Sequence, residues 1–200
     1  MTNHAPDHPW AHVRTRRAML SDAAAVHSMV LRCSAQSLYA RFLTVVPPET
    51  AGANVVANLA SQSAIWWLAE VDDVVVGIGA THLFDDGAAE ISLLVEDTWQ
   101  RRGVATQLLP HLIEEARVRR APRLWATALG ERMPIIRKLT RRAGVVLEVS
   151  ISGGIAEMTA ELPRANRPAL RDADLIDQRT PGYVPVRAVA HAFALRSPRA

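Results

Sequence analysis

Two hundred residues, 49% hydrophobic and 22% charged, suit one ordinary domain with tails and argue against wholesale disorder. A single cysteine, Cys33, excludes an intrachain disulfide and a multi-cysteine zinc site, and no apolar run reaches the roughly 18 residues of a membrane span. The net charge of +3 is uneven: residues 101–142 hold 11 basic and 3 acidic side chains, the rest of the chain 12 and 17.

That basic block suits an anionic partner, such as a phosphorylated ligand, a nucleic acid or a membrane surface. It equally suits a solvated helix face in an arginine-rich chain whose only lysine is Lys138.

In chain order, residues 1–12 hold His4, His8 and His12 with Pro6, Asp7 and Pro9 and no apolar run. They predict a tail rather than a secretory signal, and a cytoplasmic protein. The two prolines oppose the helix that would align the histidines as ligands, so no metal is expected. Residues 13–18 predict a first strand. Ser21 and Asp22 offer a helix N-cap before Ala25, Val26, Met29 and Val30 at helical spacing. A second helix over 37–43 carries Leu38, Tyr39, Phe42 and Leu43; Pro47 and Pro48 are expected to stop it, and 50–59 predicts a third helix. The period then changes. Strands at 64–71, 74–83 and 88–95, separated by Asp72-Asp73 and Asp85-Asp86-Gly87, predict an antiparallel meander. A helix opening at Gly103 carries the stripe Val104, Leu108, Leu109, Leu112, Ile113 and Ala116, with a local kink expected at Pro110. A strand at 123–128, a helix at 134–142 capped by Gly144, and strands at 145–150 and 155–162 joined by Ser152-Gly153-Gly154 complete the pattern. Beyond Pro163 the pattern fails, so 164–200 is expected to be a tail with at most a short strand or helix at 184–195. This order predicts an α/β domain over 13–163, a sheet flanked by helices.

The chemistry concentrates where the strand ending at Val95 passes through Gln100-Arg101-Arg102 into the helix at Gly103. The first turn of a helix has unpaired N–H groups and a partial positive charge, and so binds phosphate. Gly103 allows close backbone approach, Ala105 is small, and Arg101 and Arg102 add charge. A Walker loop is excluded because Lys138 lies far away and follows no glycine. A dinucleotide fingerprint is excluded because no helix pattern follows Gly77 and Gly79. Cys33 reads as buried packing, and Trp66-Trp67 as sheet packing rather than a base-stacking platform.

Gln100, Gly103 and Ala105 fit the phosphate loop Gln/Arg-x-x-Gly-x-Gly/Ala, five residues past the strand end at Val95. With the order of elements from 13 to 162, this resembles the GNAT superfamily of acetyl-CoA-dependent N-acetyltransferases. The resemblance implies a mixed, mostly antiparallel sheet and acetyl-CoA as co-substrate. It implies that main-chain groups of Leu93, Leu94 and Val95 hold the pantetheine and thioester carbonyl, in a strand splayed by a bulge. Main-chain N–H groups of Arg101, Arg102, Gly103, Val104, Ala105 and Thr106 are implied to hold the pyrophosphate. Backbone donors near Leu94 and Val95 are then expected to steady the developing oxyanion while an amine attacks directly.

Glu90 stands where related protein lysine acetyltransferases carry a general base, and by alternation it shares a face with Ser92 and Leu94. The residue type equally suits a water-facing strand end. The stretch Ser37-Leu38-Tyr39-Ala40-Arg41-Phe42 resembles bacterial members whose second helix walls the acceptor site, which makes Tyr39 and Arg41 substrate-contact candidates beside their reading as helix packing. Two departures stand out. Arg132 lies where many members have Asn, and the helix at 134–142 has no Tyr to protonate the leaving thiolate. The acceptor is either a protein lysine or N-terminus, or a small amine; nucleic acid is not expected, and a monomer or homodimer is. Two rivals stay open: an acyl-CoA-binding sensor without catalysis, and a nucleic-acid-binding basic block.

Overall fold

The computed structural model describes residues 13–61 and 64–162. The expected tails, with His4, His8, His12 and the 184–195 stretch, lie outside the described residues. The strands are β1 (Arg14–Arg17), β2 (Ala64–Val71), β3 (Val74–Leu83), β4 (Ala89–Val95), β5 (Arg123–Leu129), β6 (Glu148–Ser152) and β7 (Ile155–Glu161). They form one sheet in the order β1-β2-β3-β4-β5-β7-β6, antiparallel at every junction but β4 with β5. The α-helices of the described residues are α1 (Ala23–Leu31), α2 (Ala35–Phe42), α3 (Pro48–Ser61), α4 (Val104–Val118) and α5 (Met133–Arg142). This is the mixed, mostly antiparallel, helix-flanked sheet that the sequence predicts.

Tight turns build the meander. Asp72 and Asp73 sit at φ 49° and 60°, the left-handed pair that a two-residue hairpin needs and that Asp tolerates. On one sheet face, Trp66, Leu68, Ile78, Ala80 and Leu94 pack with Val26, Met29, Val30, Leu38 and Val55 of the first three helices. On the other, the α4 stripe meets Val71 and Val76 through Val104 and Leu108, and Leu124 and Ala160 through Leu109 and Ile113. The two glycines inside β3 belong to this second contact. A Cβ on Gly77 would stand 2.8 Å from Val104 Cγ1, and one on Gly79 2.6 Å from Leu112 Cδ1. Glycine there lets α4 lie close to the sheet.

Several boundaries differ from expectation. Helix α2 is ended by Leu43 in the left-handed region (φ 54°), whose N–H reaches the Tyr39 carbonyl; Pro48 instead opens α3, where a missing N–H costs nothing. Asp22 closes a 3-10 turn over Leu20–Asp22 and takes the Met19 N–H on its carboxylate at 2.7 Å, capping one turn earlier than expected. Arg16 of β1 also binds that carboxylate at 2.7 Å and holds it well below the usual range. Helix α4 runs through Pro110 as a single 15-residue element. Strand β6 starts at Glu148, because the Val145 N–H still caps α5 by bonding the Thr140 carbonyl.

The feature that places the site is a parting of the sheet. Strands β4 and β5 pair only at Ala89 with Leu124 and Glu90 with Trp125. The expected bulge in β4 is not the cause: β4 stays in register with β3 from Ala89 to Val95, and the irregularity lies at Ala69/Glu70 in β2. Past these two pairs β5 keeps only its other edge in the sheet, paired with β7 along its whole length.

Candidate active site

The gap exposes one set of main-chain groups. Glu96 donates its N–H to the Val76 carbonyl of β3 at 3.0 Å. Backbone direction alternates along a strand, so Leu94 and Ser92 also direct their main-chain groups at β3. Leu93 and Val95 direct theirs into the gap; of the three residues expected there, Leu94 contributes its side chain to the core instead. The Val95 carbonyl accepts from Gln100 Nε2 at 3.0 Å, and the same nitrogen reaches Ser37 Oγ at 2.8 Å. Gln100 thus braces the loop against α2, a role that its place in the phosphate-loop pattern does not reveal.

Asp97 extends this brace. Its carboxylate accepts from Ser34 N–H (2.8 Å), Ser34 Oγ (2.7 Å) and Ser37 Oγ (2.8 Å). Burial alone would raise its pKa; these hydrogen bonds outweigh that and hold it below the usual carboxylate range. The N-terminus of α2 is therefore fixed to the loop that follows β4.

At the mouth of the gap, Arg101 takes φ 60° and Gly103 φ 84°. The first hydrogen bond of α4 runs from Gln107 N–H to the Gly103 carbonyl at 3.1 Å, leaving the N–H groups of Val104, Ala105 and Thr106 outside the helix ladder. A Cβ on Gly103 would meet nothing within 4 Å, so open space borders this backbone. Arg101 and Arg102 are exposed beside it, Arg102 lying 5.2 Å over the Trp99 ring. The rest of the basic block is dispersed. Arg119 pairs with Glu115 and Arg123 with Asp86, and the α5 arginines lie on a different element.

A small cleft, partly open to solvent, lies on the helix-covered face of β4. Glu90, only 4% exposed, lines it with Ser92, as the alternation predicts. Arg41 enters from α2, its Nη2 donating to Ser92 Oγ at 2.9 Å. Tyr39 stands outside this lining, 42% exposed. Sequence reasoning missed His82, which lines the cleft and is paired with Glu90 across β3 and β4. A lone histidine in a strand carries no local signal; only the register brings it to the carboxylate. Its ring makes an edge contact with Phe84 at 5.5 Å.

Cys33 is buried, its thiol 3.5 Å from the Met29 carbonyl, and burial pushes its pKa up to about 12; a thiol held neutral is no nucleophile. Trp66 belongs to the core as expected, and Trp67 stacks on His111 with centroids 3.9 Å apart. Among the described residues no group of three or more His, Cys, Asp or Glu could hold a metal, and no helix is long and apolar enough to cross a membrane.

Comparison with known proteins bears on this arrangement. The model of the acetyltransferase (GNAT) family matches residues 34–141. The uncharacterized N-acetyltransferase YedL of Escherichia coli K12 is 34% identical over 79 residues, 39% of this chain and 50% of YedL. The match thus spans half the length of that relative. The GNAT domain of S. lividans PAT shares the fold with a TM-score of 0.64 at 25% identity, over 75% of this chain and 90% of that one. Salmonella typhimurium yncA, whose structure contains acetyl-CoA, gives a TM-score of 0.57 at 20% identity, over 80% of this chain and 99% of yncA.

Proposed function

Because the chain belongs to the GNAT family of acetyltransferases, we propose that it moves an acetyl group from acetyl-CoA to an amine by direct attack, within a domain over residues 13–163. The observation that carries this reading is the parting of β4 from β5 after two paired residues, with a helix N-terminus at its mouth. YedL is called an N-acetyltransferase and yncA holds acetyl-CoA, which supports the same co-substrate here.

The residues present fit that group. Open space at Gly103 and the free N–H groups of the first α4 turn suit a pyrophosphate, with Arg101 and Arg102 beside it. Bound acetyl-CoA would supply a thioester whose C–S bond breaks as the new C–N bond forms, the electron pair leaving on sulfur. Leu93 and Val95 would offer main-chain partners in the gap, and an N–H there would steady the thioester oxygen. Glu90, buried in the adjoining cleft, would accept the proton lost by the amine. A thiolate leaves without prior protonation, so an α5 without tyrosine does not prevent turnover. The single cysteine suits a reducing compartment, and we take the enzyme to be cytoplasmic.

The test is acetyl-CoA binding followed by an amine screen that reads released thiol. Binding with thiol release supports the reading. Binding without release over a broad panel of protein and small amines would mark an acyl-CoA sensor instead.

A further inference from the structure

A chain of hydrogen bonds runs from the gap to the N-terminus of α2. Gln100 Nε2 carries two N–H donors. One goes to the Val95 carbonyl at 3.0 Å and the other to Ser37 Oγ at 2.8 Å. Ser37 is 6% exposed, and its hydroxyl meets Asp97 Oδ1 at 2.8 Å. The ends of the chain fix its direction. The amide nitrogen only donates and an ionised carboxylate only accepts, so Ser37 accepts from Gln100 and donates to Asp97. The Asp97 carboxylate also takes the Ser34 N–H and hydroxyl, which anchors the chain on the first turn of α2. The far end of α2 is tied as well, Arg41 donating to Ser92 Oγ at 2.9 Å.

A carbonyl oxygen has two lone pairs. At Val95, Gln100 takes one and leaves the other for a ligand N–H in the gap. With its second N–H held by Ser37, the Gln100 amide stays on the α2 side of that carbonyl. Bonds in such a chain, ending on a charge, also polarise one another. Without the Ser37 hydroxyl, the amide keeps an unmatched donor and is free to turn into the gap, where it competes for the lone pair that faces the ligand. We propose that Ser37 is a positioning residue for acetyl-CoA, setting the Val95 carbonyl, through Gln100, for an amide N–H of the pantetheine arm. This rests on the acetyl-CoA reading above. The bonds of the chain involve none of Val104, Ala105 and Thr106, so the nucleotide end of the co-substrate does not depend on it.

Binding is measured by calorimetry with dephospho-CoA and with ADP, the same nucleotide without the pantetheine arm. Ser37→Ala should weaken dephospho-CoA by about three- to tenfold, the range of one net hydrogen bond, and leave ADP within about twofold of wild type. Ser37→Cys, whose sulfur fills the space but accepts weakly, gives the same test where the Ala variant does not fold. Gln100→Met, which removes the donors and leaves Ser37 on Asp97, should show the same selective loss. The double variant should lose no more than Gln100→Met alone, because Ser37 acts through Gln100. Equal weakening of dephospho-CoA and ADP, additive losses in the double variant, or no loss from the Ser37 substitutions would overturn the positioning role while the acetyl-CoA site stands. If dephospho-CoA and CoA both fail to bind the wild-type protein, the acetyl-CoA reading falls and this role with it.

Discussion

Glu90 is 4% exposed, although its residue type alone favours a strand end in water. A buried carboxylate facing a cleft beside His82 has an environment suited to proton transfer. Replacing it with Gln keeps size and hydrogen bonding and removes the base. Turnover should fall by roughly 10²–10⁴ with acetyl-CoA affinity nearly unchanged. Higher pH should recover part of the loss, because more of the acceptor amine is then neutral. Profiles of kcat against pH with similar maxima for wild type and Glu90→Gln would leave His82 as the candidate base. Gly103 is the matching test on the co-substrate side. Its φ of 84° disfavours any branched side chain, and its missing Cβ faces open space. Gly103→Val should therefore weaken CoA binding by about tenfold or more, about 1.4 kcal/mol. Unchanged CoA affinity in a folded variant would remove the first turn of α4 from the site. Gln100 shows where pattern and role separate: the motif identifies the position, whereas only the contacts show that it ties Val95 to Ser37.

Helix α2 brings Arg41 to the cleft, and its placement depends on Ser34, Ser37 and Asp97. Asp97 is held below the usual carboxylate range, so it binds a proton less readily folded than unfolded. Its contribution to stability is then full above its ordinary pKa of about 3.9 and is lost as pH falls through the folded value. At neutral pH, Asp97→Ala should destabilise by about 1 kcal/mol, below the usual range for hydrogen bonds to a charge because the residue is exposed. The gap in melting temperature between wild type and variant should close as pH drops below 4; a gap independent of pH would mean that the carboxylate charge plays no part in holding α2. This coupling of α2 to the loop could not be read from the chain, because it joins residues about 60 positions apart. The elements themselves were legible. Turn residues between apolar runs marked β2 to β4, and the apolar stripe marked α4. Ends were less so: the prolines after α2 start the next helix, and the capping N–H of Val145 delays β6. The parting of β4 from β5 was legible only through the family resemblance, because strand pairing between residues about 35 positions apart leaves no local signal.

The molecule is divided along that parting. One part holds β1 to β4 with α1, α2 and α3; the other holds β5, β6 and β7 with α5. They join through the two strand-paired residues, through α2 against β5, through the Arg123–Asp86 ion pair and the Phe84–Trp125 ring contact, and through α4, which packs against Val71 and Val76 on one side and Leu124 and Ala160 on the other. A ligand seated in the gap would contact the strand edge of the first part and the helix that bridges both. If CoA binds there, it stabilises the folded state by about 2.7 kcal/mol at a free concentration 100 times its Kd. For a domain of this size, each kcal/mol raises Tm by about 2–4 °C, so the expected rise is roughly 5–10 °C. The distribution of the effect is the sharper measurement. Hydrogen exchange should slow most at the amides of Leu93 and Val95, which lie beyond the last β5 pair, and at Val104, Ala105 and Thr106, which lie outside the α4 ladder. Leu94 and Ser92, already directed at β3, should change less. A rise in Tm with protection spread evenly over β3 and β4, or confined to the basic face of α5, would place CoA outside the gap and require another account of why β4 and β5 part.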